Sequence, residues 1–408
     1  MAEPRILVVG CGFPQLGLLR FCRSEGLQVI GLDLNPEAVG RSECDSFVEA
    51  STTDFDAIAR AVVAERADGL TTCGSDHAVL PTARAAEQVG LPFYLDPGTI
   101  AAALHKDDMR ALYARSGAPS PAHRIIRSHS EAQAFATAHG LPVVVKPARG
   151  WGQRGVRVVM QLSELTQAVQ ESLAAASNVM DDPRCVLEQF IEGREYSVDA
   201  YTRQGKTEVL AVTERIITHY PDPPGITFAE VHPPDLPDRE REAIVAAAVA
   251  GLQALGVERG PSYTQLRSGP QGAFIVETAL RLGGGLDPDV ALLASGVSLY
   301  RKIVGVALGR DDWEACGPEA PAHGGATGRF IVAKPGRVRA VRNLERARCM
   351  PGVVGAEVYV KPGGTVFPLT DGAKRAGHVL AVGATRAEAE ARAFAAMELI
   401  EIDTGEEP

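Results

Sequence analysis

The 408-residue sequence predicts an α/β fold in three parts, and three observations support this. Short branched apolar runs alternate with amphipathic stretches over the first hundred residues. A second, smaller α/β rhythm begins near residue 122, and strand-like runs return from residue 187 to the C-terminal region. Strands that alternate with helices imply a parallel sheet covered on both faces, so the first part reads as a layered α/β unit.

Residues 5–10, Arg-Ile-Leu-Val-Val-Gly, form a branched run ending in a glycine turn, and Leu16, Leu18, Leu19 and Phe21 after it suit one face of a helix. Strands at 28–33 and 69–73 and helices at 55–65 and 78–89 continue the pattern, which fades near residue 104 after the Asp96-Pro97-Gly98 turn. From His105 a helix carrying Lys106, Met109 and Leu112 runs to about Gly117. Residues 122–186 read as an inserted subdomain with a helix at 130–139, a strand at 143–146 and a helix at 163–176. Beyond it, the proline-rich stretch 221–237 is expected to be a flexible surface loop, with 219–234 placed to act as a lid. Strands at 328–333, 356–361 and 378–382 precede a last helix that opens on a capping box, Thr385 to Glu388, and the acidic end 403–408 reads as frayed. The expected domains are 1–104, 105–186 and 187–408.

Lys and Arg total 41 against 51 Asp and Glu, a net charge of −10. An acidic chain argues against non-specific partners such as nucleic acid or an anionic membrane, both of which reward a basic surface. No segment approaches the roughly 18 uninterrupted apolar residues of a spanning helix. The start, Met-Ala-Glu-Pro-Arg, lacks a basic leader and reads as the approach to a first strand, so the expected setting is cytoplasmic. The seven cysteines, at 11, 22, 44, 73, 185, 316 and 349, contain no C-x-x-C pair; they suggest reduced thiols rather than a disulfide framework or zinc site.

Four constellations carry possible chemistry. Gly10, Gly12 and Gly17 with Asp33 approach a dinucleotide fingerprint, but the third glycine comes late and Pro14 intrudes, so the reading is a tight strand-to-helix turn. The strand ending in Lys146 leads into a basic loop with Arg149, Arg154 and glycines at 150, 152 and 155, whose N–H groups can cradle phosphate oxygens. Around Glu188, Gln189, Phe190, Ile191 and Glu195, an apolar strand end followed by acids can offer backbone groups to a base and a carboxylate to a ribose; alone, the same pattern fits an edge strand with outward charges. Gln265 and Glu277 lie 12 residues apart, suiting neighbouring antiparallel strands that ligate Mg²⁺, with Arg281 an even number of residues beyond Glu277 and a run of glycines at 283–285. An acid and an arginine on one face also fit a structural ion pair.

In their order these pieces resemble the ATP-grasp superfamily, in particular carboxylate-amine (amino-acid) ligases and carbamoyl phosphate synthetase-like chains. The features are Lys106, then Lys146 40 residues later before a glycine-rich loop, Glu188-Gln189-Phe190-Ile191, and Glu277-x-Ala279-x-Arg281 before glycines. The ending around Gly377-His378 to Glu388 resembles theirs as well. The resemblance implies a Rossmann-like N-terminal (pre-ATP-grasp) domain followed by a two-subdomain ATP-grasp fold. It implies that Lys106, Lys146 and the loop with Gly150, Gly152, Arg154 and Gly155 hold ATP phosphates, that Glu188, Gln189, Phe190 and Ile191 flank adenine, and that Glu195 meets the ribose. Gln265 and Glu277 would hold one or two Mg²⁺ ions, and Arg281 would bind the substrate carboxylate or its acyl-phosphate. The implied activity is ADP-forming ligation of a carboxylate to an amine, both small molecules, with an amino acid as a substrate and a homodimer as a common arrangement. Bicarbonate-using carboxylases and a non-catalytic Mg-ATP-binding protein are the alternative readings. Gln265 stands where Glu is more usual and Ala279 where Asn often serves as a metal ligand, which bears on the second ion. His232, or Glu214, is the candidate to take a proton from the attacking amine.

Overall fold

The computed structural model describes residues 3–150, 154–218, 225–320 and 322–405. Its first unit is a four-stranded parallel sheet in the order Ser46–Glu49, Gln28–Asp33, Arg5–Val9, Gly69–Thr71. Ile6, Leu7, Val8 and Val9 are all fully buried because helices cover both faces, which is why this strand reads as a continuous apolar run rather than an alternating one. The half-exposed edge strand Ser46–Glu49 is too short and too polar to announce itself in sequence. The glycine turn has the form of a nucleotide loop, but its groups are used internally. The Gln15 side chain lies over Gly10, accepts from Gly12 N–H (3.2 Å) and donates to the Cys73 carbonyl (2.5 Å), while Asp33 accepts from Cys11 N–H (2.8 Å) and Asn35 N–H (2.9 Å).

The helix expected from His105 is the second of two. Pro97–Leu104 ends at His105, whose extended backbone (φ −93°, ψ 106°) breaks the run, and Lys106–Ser116 starts afresh with Lys106 in its first turn. The small unit is an antiparallel sheet ordered His123–Ile126, Cys185–Gln189, Val143–Pro147, Arg157–Val159, with helices His129–His139 and Leu162–Ser177 packed on it. The expected boundary at 186 therefore falls inside a strand. That strand is interior rather than an edge, and Glu188 is 2% exposed instead of pointing to solvent.

The large unit is an eight-stranded antiparallel sheet in the order Gly272–Ala279, Arg259–Gly269, Arg194–Arg203, Lys206–Thr218, Ile226–His232, Gly325–Ile331, Gly377–Gly383, Val353–Val358. Ile226–His232 corrects the loop expectation for 221–237. Its residues, Ile-Thr-Phe-Ala-Glu-Val-His, are mostly strand formers, and it is paired along both edges, so it cannot act as a lid. Residues 219–224, the rest of the expected lid's first half, lie outside the described residues. Helices Asp287–Ser295 and Leu299–Ala307 fill the space between the first unit and this sheet; one apolar core runs from Leu18 and Leu19 through Tyr300 and Ile303 to Tyr201 and Ile275. Among the described residues no single helix is long and apolar enough to cross a membrane.

Two details at the C-terminal end differ from expectation. Thr385 caps Arg386–Leu399, but the Glu388 carboxylate reaches back to Ala384 N–H (2.7 Å) rather than closing a box on Thr385. Asp403 and Thr404 are not frayed: Glu401–Thr404 pairs with Gly336–Arg342.

One side chain ties the small unit to the large one. Arg110 lies one helical turn beyond Lys106 and is completely buried. Its Nε donates to Glu188 of the small sheet (2.8 Å), and its two terminal nitrogens donate to the carbonyls of Ile275 (3.1 Å) and Val276 (2.7 Å) in the large sheet. The other Glu188 oxygen accepts from Lys146 Nζ at 2.7 Å. Burial alone would raise the Glu188 pKa, but the charges of Arg110 and Lys146 outweigh it and hold the carboxyl at about 2.

Arg110→Met leaves Glu188 and two carbonyls short of a donor, so it should lower the unfolding free energy by about 3–5 kcal/mol in urea titrations. The pairing of Glu188 contributes fully above its unfolded pKa of about 4.3 and is lost as pH falls through the folded value. Stability should therefore decline between about pH 5 and pH 2, and Glu188→Gln should flatten that part of the profile while lowering stability at neutral pH.

Candidate functional site

A cleft of about 500 Å³ lies between the small sheet and the large one. Its roof is the exposed face of the small sheet. Along Val143–Pro147 the period of two sends Val143 and Val145 into the core under the helices, while Val144 and Lys146 face the cleft, joined by Val156, Val158 and Met160. Its floor is one face of the large sheet, with Glu195, Arg215, Gln265, Arg267 and Glu277. Gln189, Phe190 and Ile191 form the back wall where the chain passes from roof to floor, and Asp76, Lys106, Arg154 and Arg281 close the polar end.

Most charges in the cleft are paired. Lys146 is pulled below the usual ammonium pKa by burial, with Glu188 opposing that effect and Arg110 adding to it. Lys106 Nζ donates to the Gly150 carbonyl (3.0 Å) and lies 3.3 Å from Glu277 Oε1. Arg281 grips Asp76 with two parallel hydrogen bonds of 2.7 Å each and donates a third to the Leu282 carbonyl (2.9 Å). Burial works against both charges, yet Asp76 is held below the usual carboxylate range by Arg281, and Arg281 above the usual guanidinium range by Asp76. Glu195 sits between two guanidiniums, 3.1 Å from Arg215 and 3.7 Å from Arg267, and Arg267 stacks 4.5 Å above the Phe190 ring.

Gln265 and Glu277 are direct register partners on adjacent strands, and both face the cleft. One carboxylate and one amide oxygen facing the same cleft as Lys106 and Lys146 suit Mg²⁺, which keeps several waters and takes few protein ligands. Ala279, two residues on, is buried and offers no side-chain oxygen. Arg281 reaches the same cleft by a different route from the one expected: its strand ends at Ala279, so a strand period does not extend to it.

The structure thus gathers Lys106, Lys146, Gly150, Arg154, Glu188, Gln189, Phe190, Ile191, Glu195, Gln265, Glu277 and Arg281 around one cavity. Gly155 is not on its wall; it makes a left-handed turn (φ 72°) packed against Ala175 and Pro147. Gly152 lies outside the described residues. Arg149 lines other recesses. His232 is a correction: it is not on the cleft wall, its Nδ1 lies 2.9 Å from the Val212 carbonyl, and burial lowers its pKa. Glu214 is also unavailable, held by Arg386 (2.7 Å) and Arg194 (3.1 Å).

Sequence reasoning missed Asp76, Arg110, Arg215 and Arg267. Arg110 and Arg267 carried a readable signal, since they stand one helical turn after Lys106 and two strand positions after Gln265. Asp76 and Arg215 become neighbours of their partners only through tertiary folding. Asp199, Glu230 and Asp287 were missed too; Asp199 and Glu230 are buried on the same sheet face as Glu195 and Arg215, and burial pushes these two well above the carboxylate range. A recess of about 240 Å³ adjoins the cleft at Asp76, Lys106 and Glu277, with Leu80, Pro81, Leu104, Val179 and Ala279 on its walls.

Residues 139–289 match the ATP-grasp domain family, and residues 329–405 match the L-amino acid ligase C-terminal domain 2. The chain is 31% identical over 308 residues to the uncharacterised protein y4rH of Sinorhizobium fredii, covering 75% of this chain and 62% of that protein. It is 30% identical over 181 residues to the N5-carboxyaminoimidazole ribonucleotide synthase of Synechococcus elongatus, 43% of each chain. It thus spans less than two thirds of the length of either relative. In fold it is similar to the L-amino acid ligase of Bacillus licheniformis, with a TM-score of 0.81 at 21% identity over 99% of this chain and all of that one. The matched segment 139–289 holds the roof, the back wall and most of the floor of the cleft, so the cleft lies in an ATP-grasp domain, and the whole chain has the fold of the L-amino acid ligase it resembles.

Proposed function

We propose that the protein is an ADP-forming carboxylate-amine ligase that joins an amino acid to an amine or a second amino acid through an acyl-phosphate. The observation that carries this reading is the convergence of Lys106, Lys146, Gln265, Glu277 and Arg281 on one cleft. A carboxylate is a poor acylating agent because its leaving group would be oxide; phosphorylation by ATP supplies a better one, and an amine then displaces phosphate. Phosphoryl transfer depends on alignment and charge neutralisation rather than an enzyme nucleophile.

In this reading the apolar roof of Val144, Val156, Val158 and Met160 covers adenine, Glu195 takes the ribose, and Lys106, Lys146 and Arg154 take the phosphates. Gln265 and Glu277 would hold Mg²⁺, which supplies charge neutralisation between phosphate oxygens when bound. Phosphates draw Lys146 from Glu188 without stranding that acid, because Arg110 still pairs it.

The Arg281–Asp76 pair favours an amino acid as the carboxylate substrate. It presents a guanidinium and a carboxylate side by side on the cleft wall, complementary to a zwitterion, and the apolar recess beyond Asp76 has room for a side chain. A homodimer belongs to the same reading and rests on the resemblance alone, and a cytoplasmic setting rests on the composition of the chain.

The test is phosphate release from Mg-ATP over a panel of amino-acid pairs. Release that requires two substrates and yields ADP supports ligation; AMP and pyrophosphate would overturn the mechanism. Release driven by bicarbonate alone would point to a carboxylase, and tight Mg-ATP binding without turnover to a binding protein. Lys146→Ala and Glu277→Ala should each cost about 10²–10³-fold in kcat, with far-ultraviolet circular dichroism unchanged. Asp76→Asn should raise KM for the amino acid by about 10–100-fold, the worth of one charged hydrogen bond, and leave KM for ATP unchanged.

A further inference from the structure

Two cysteines meet in the first unit, away from the cleft. Cys11 follows the first glycine of the turn after Arg5–Val9, and Cys44 ends the short helix Val39–Glu43. A methyl group built on Gly31, on the strand between them, would lie 2.5 Å from Cys44 Sγ and 2.7 Å from Cys11 Sγ, so both sulfurs converge on the space the glycine leaves empty. The backbone holds them in place: Gly40 N–H donates to the Cys11 carbonyl (2.8 Å), and Cys44 Sγ lies 3.3 Å from the Gly40 carbonyl.

We propose that Cys11 and Cys44 are a redox-active dithiol that closes to an intrachain disulfide on reaction with a low-molecular-weight disulfide. The two partners have different access. Cys11 is fully buried, whereas Cys44 is partly exposed. The neighbouring Cys11 lowers the Cys44 pKa, and Arg41 lowers it further, while Cys44 and burial raise that of Cys11. Cys44 is therefore the attacking thiolate. It displaces one thiolate from the external disulfide and becomes a mixed disulfide. Cys11 then gives up its proton and attacks Cys44 Sγ, expelling the second thiolate. The two cysteine protons end on the two released thiols, so one external disulfide is reduced as one internal bond forms. The bond would tie the helix Val39–Glu43 to the turn carrying Pro14, which packs on Gly74; Gly74 in turn adjoins Gly284, and these two glycines are close in sequence to the Asp76–Arg281 pair.

The experiment treats the reduced full chain with oxidised glutathione, traps free thiols with iodoacetamide, and reads intact mass and peptide maps. The expected result is loss of two hydrogens and of alkylation at both positions, a linked peptide pair containing Cys11 and Cys44, and reversal by dithiothreitol. Cys44→Ser should abolish the link and Cys349→Ser should leave it intact. Full alkylation of both thiols, a lasting glutathione adduct on Cys44 without a link, or the same two-hydrogen loss in Cys44→Ser would overturn the proposal. The wild-type peptide map decides the pairing by itself if a variant fails to fold.

Discussion

Glu188 is shared by two buried cations that come from different parts of the chain. Arg110 rises from the helix before the small unit, Lys146 hangs from its roof, and the carboxylate between them is nearly sealed from water. A lone buried carboxylate would be expensive, and so would either cation alone; together they leave one positive charge in excess beside the cleft. Because Arg110 also holds two carbonyls of the large sheet, the arrangement that neutralises the acid also sets the spacing of roof and floor.

The same economy governs the rest of the cleft. Lys106 leans on Glu277, Arg281 on Asp76, and Arg215 on Glu195, so most of the cations of the cleft are already partnered within the protein. Exchanging a protein carboxylate for a phosphate oxygen then costs less than bringing a bare cation out of water, because the desolvation is already met by folding. The acidic net charge and the cationic pocket are therefore compatible: the acids that dominate the composition include those that hold the pocket's arginines and lysines.

Much of this was legible in sequence where a local rule applied. Branched runs marked the buried parallel strands, the branched run before Lys146 marked a strand ending at that lysine, and the 12-residue spacing of Gln265 and Glu277 became a true register pair. Failures occurred where distance in the chain or competition between signals intervened. Prolines on both sides of Ile226–His232 outweighed its own strand-forming residues, and only pairing on both edges reveals it as an interior strand. His232 was an attractive base because loops often carry chemistry, yet its strand leaves it bonded to a carbonyl instead. Asp76 lies 205 residues from Arg281, and no spacing rule joins them.

The glycine turn of the first unit has its amide, its carboxylate and its free space already occupied by Gln15, Asp33 and their neighbours. What remains is a division of labour. Of the residues before 105 described here, only Asp76 reaches the wall of the cleft. The first unit therefore behaves as a wall with a single tooth: its sheet can diverge in sequence without touching the nucleotide machinery, whereas a change at that one position alters how Arg281 is presented to whatever it meets.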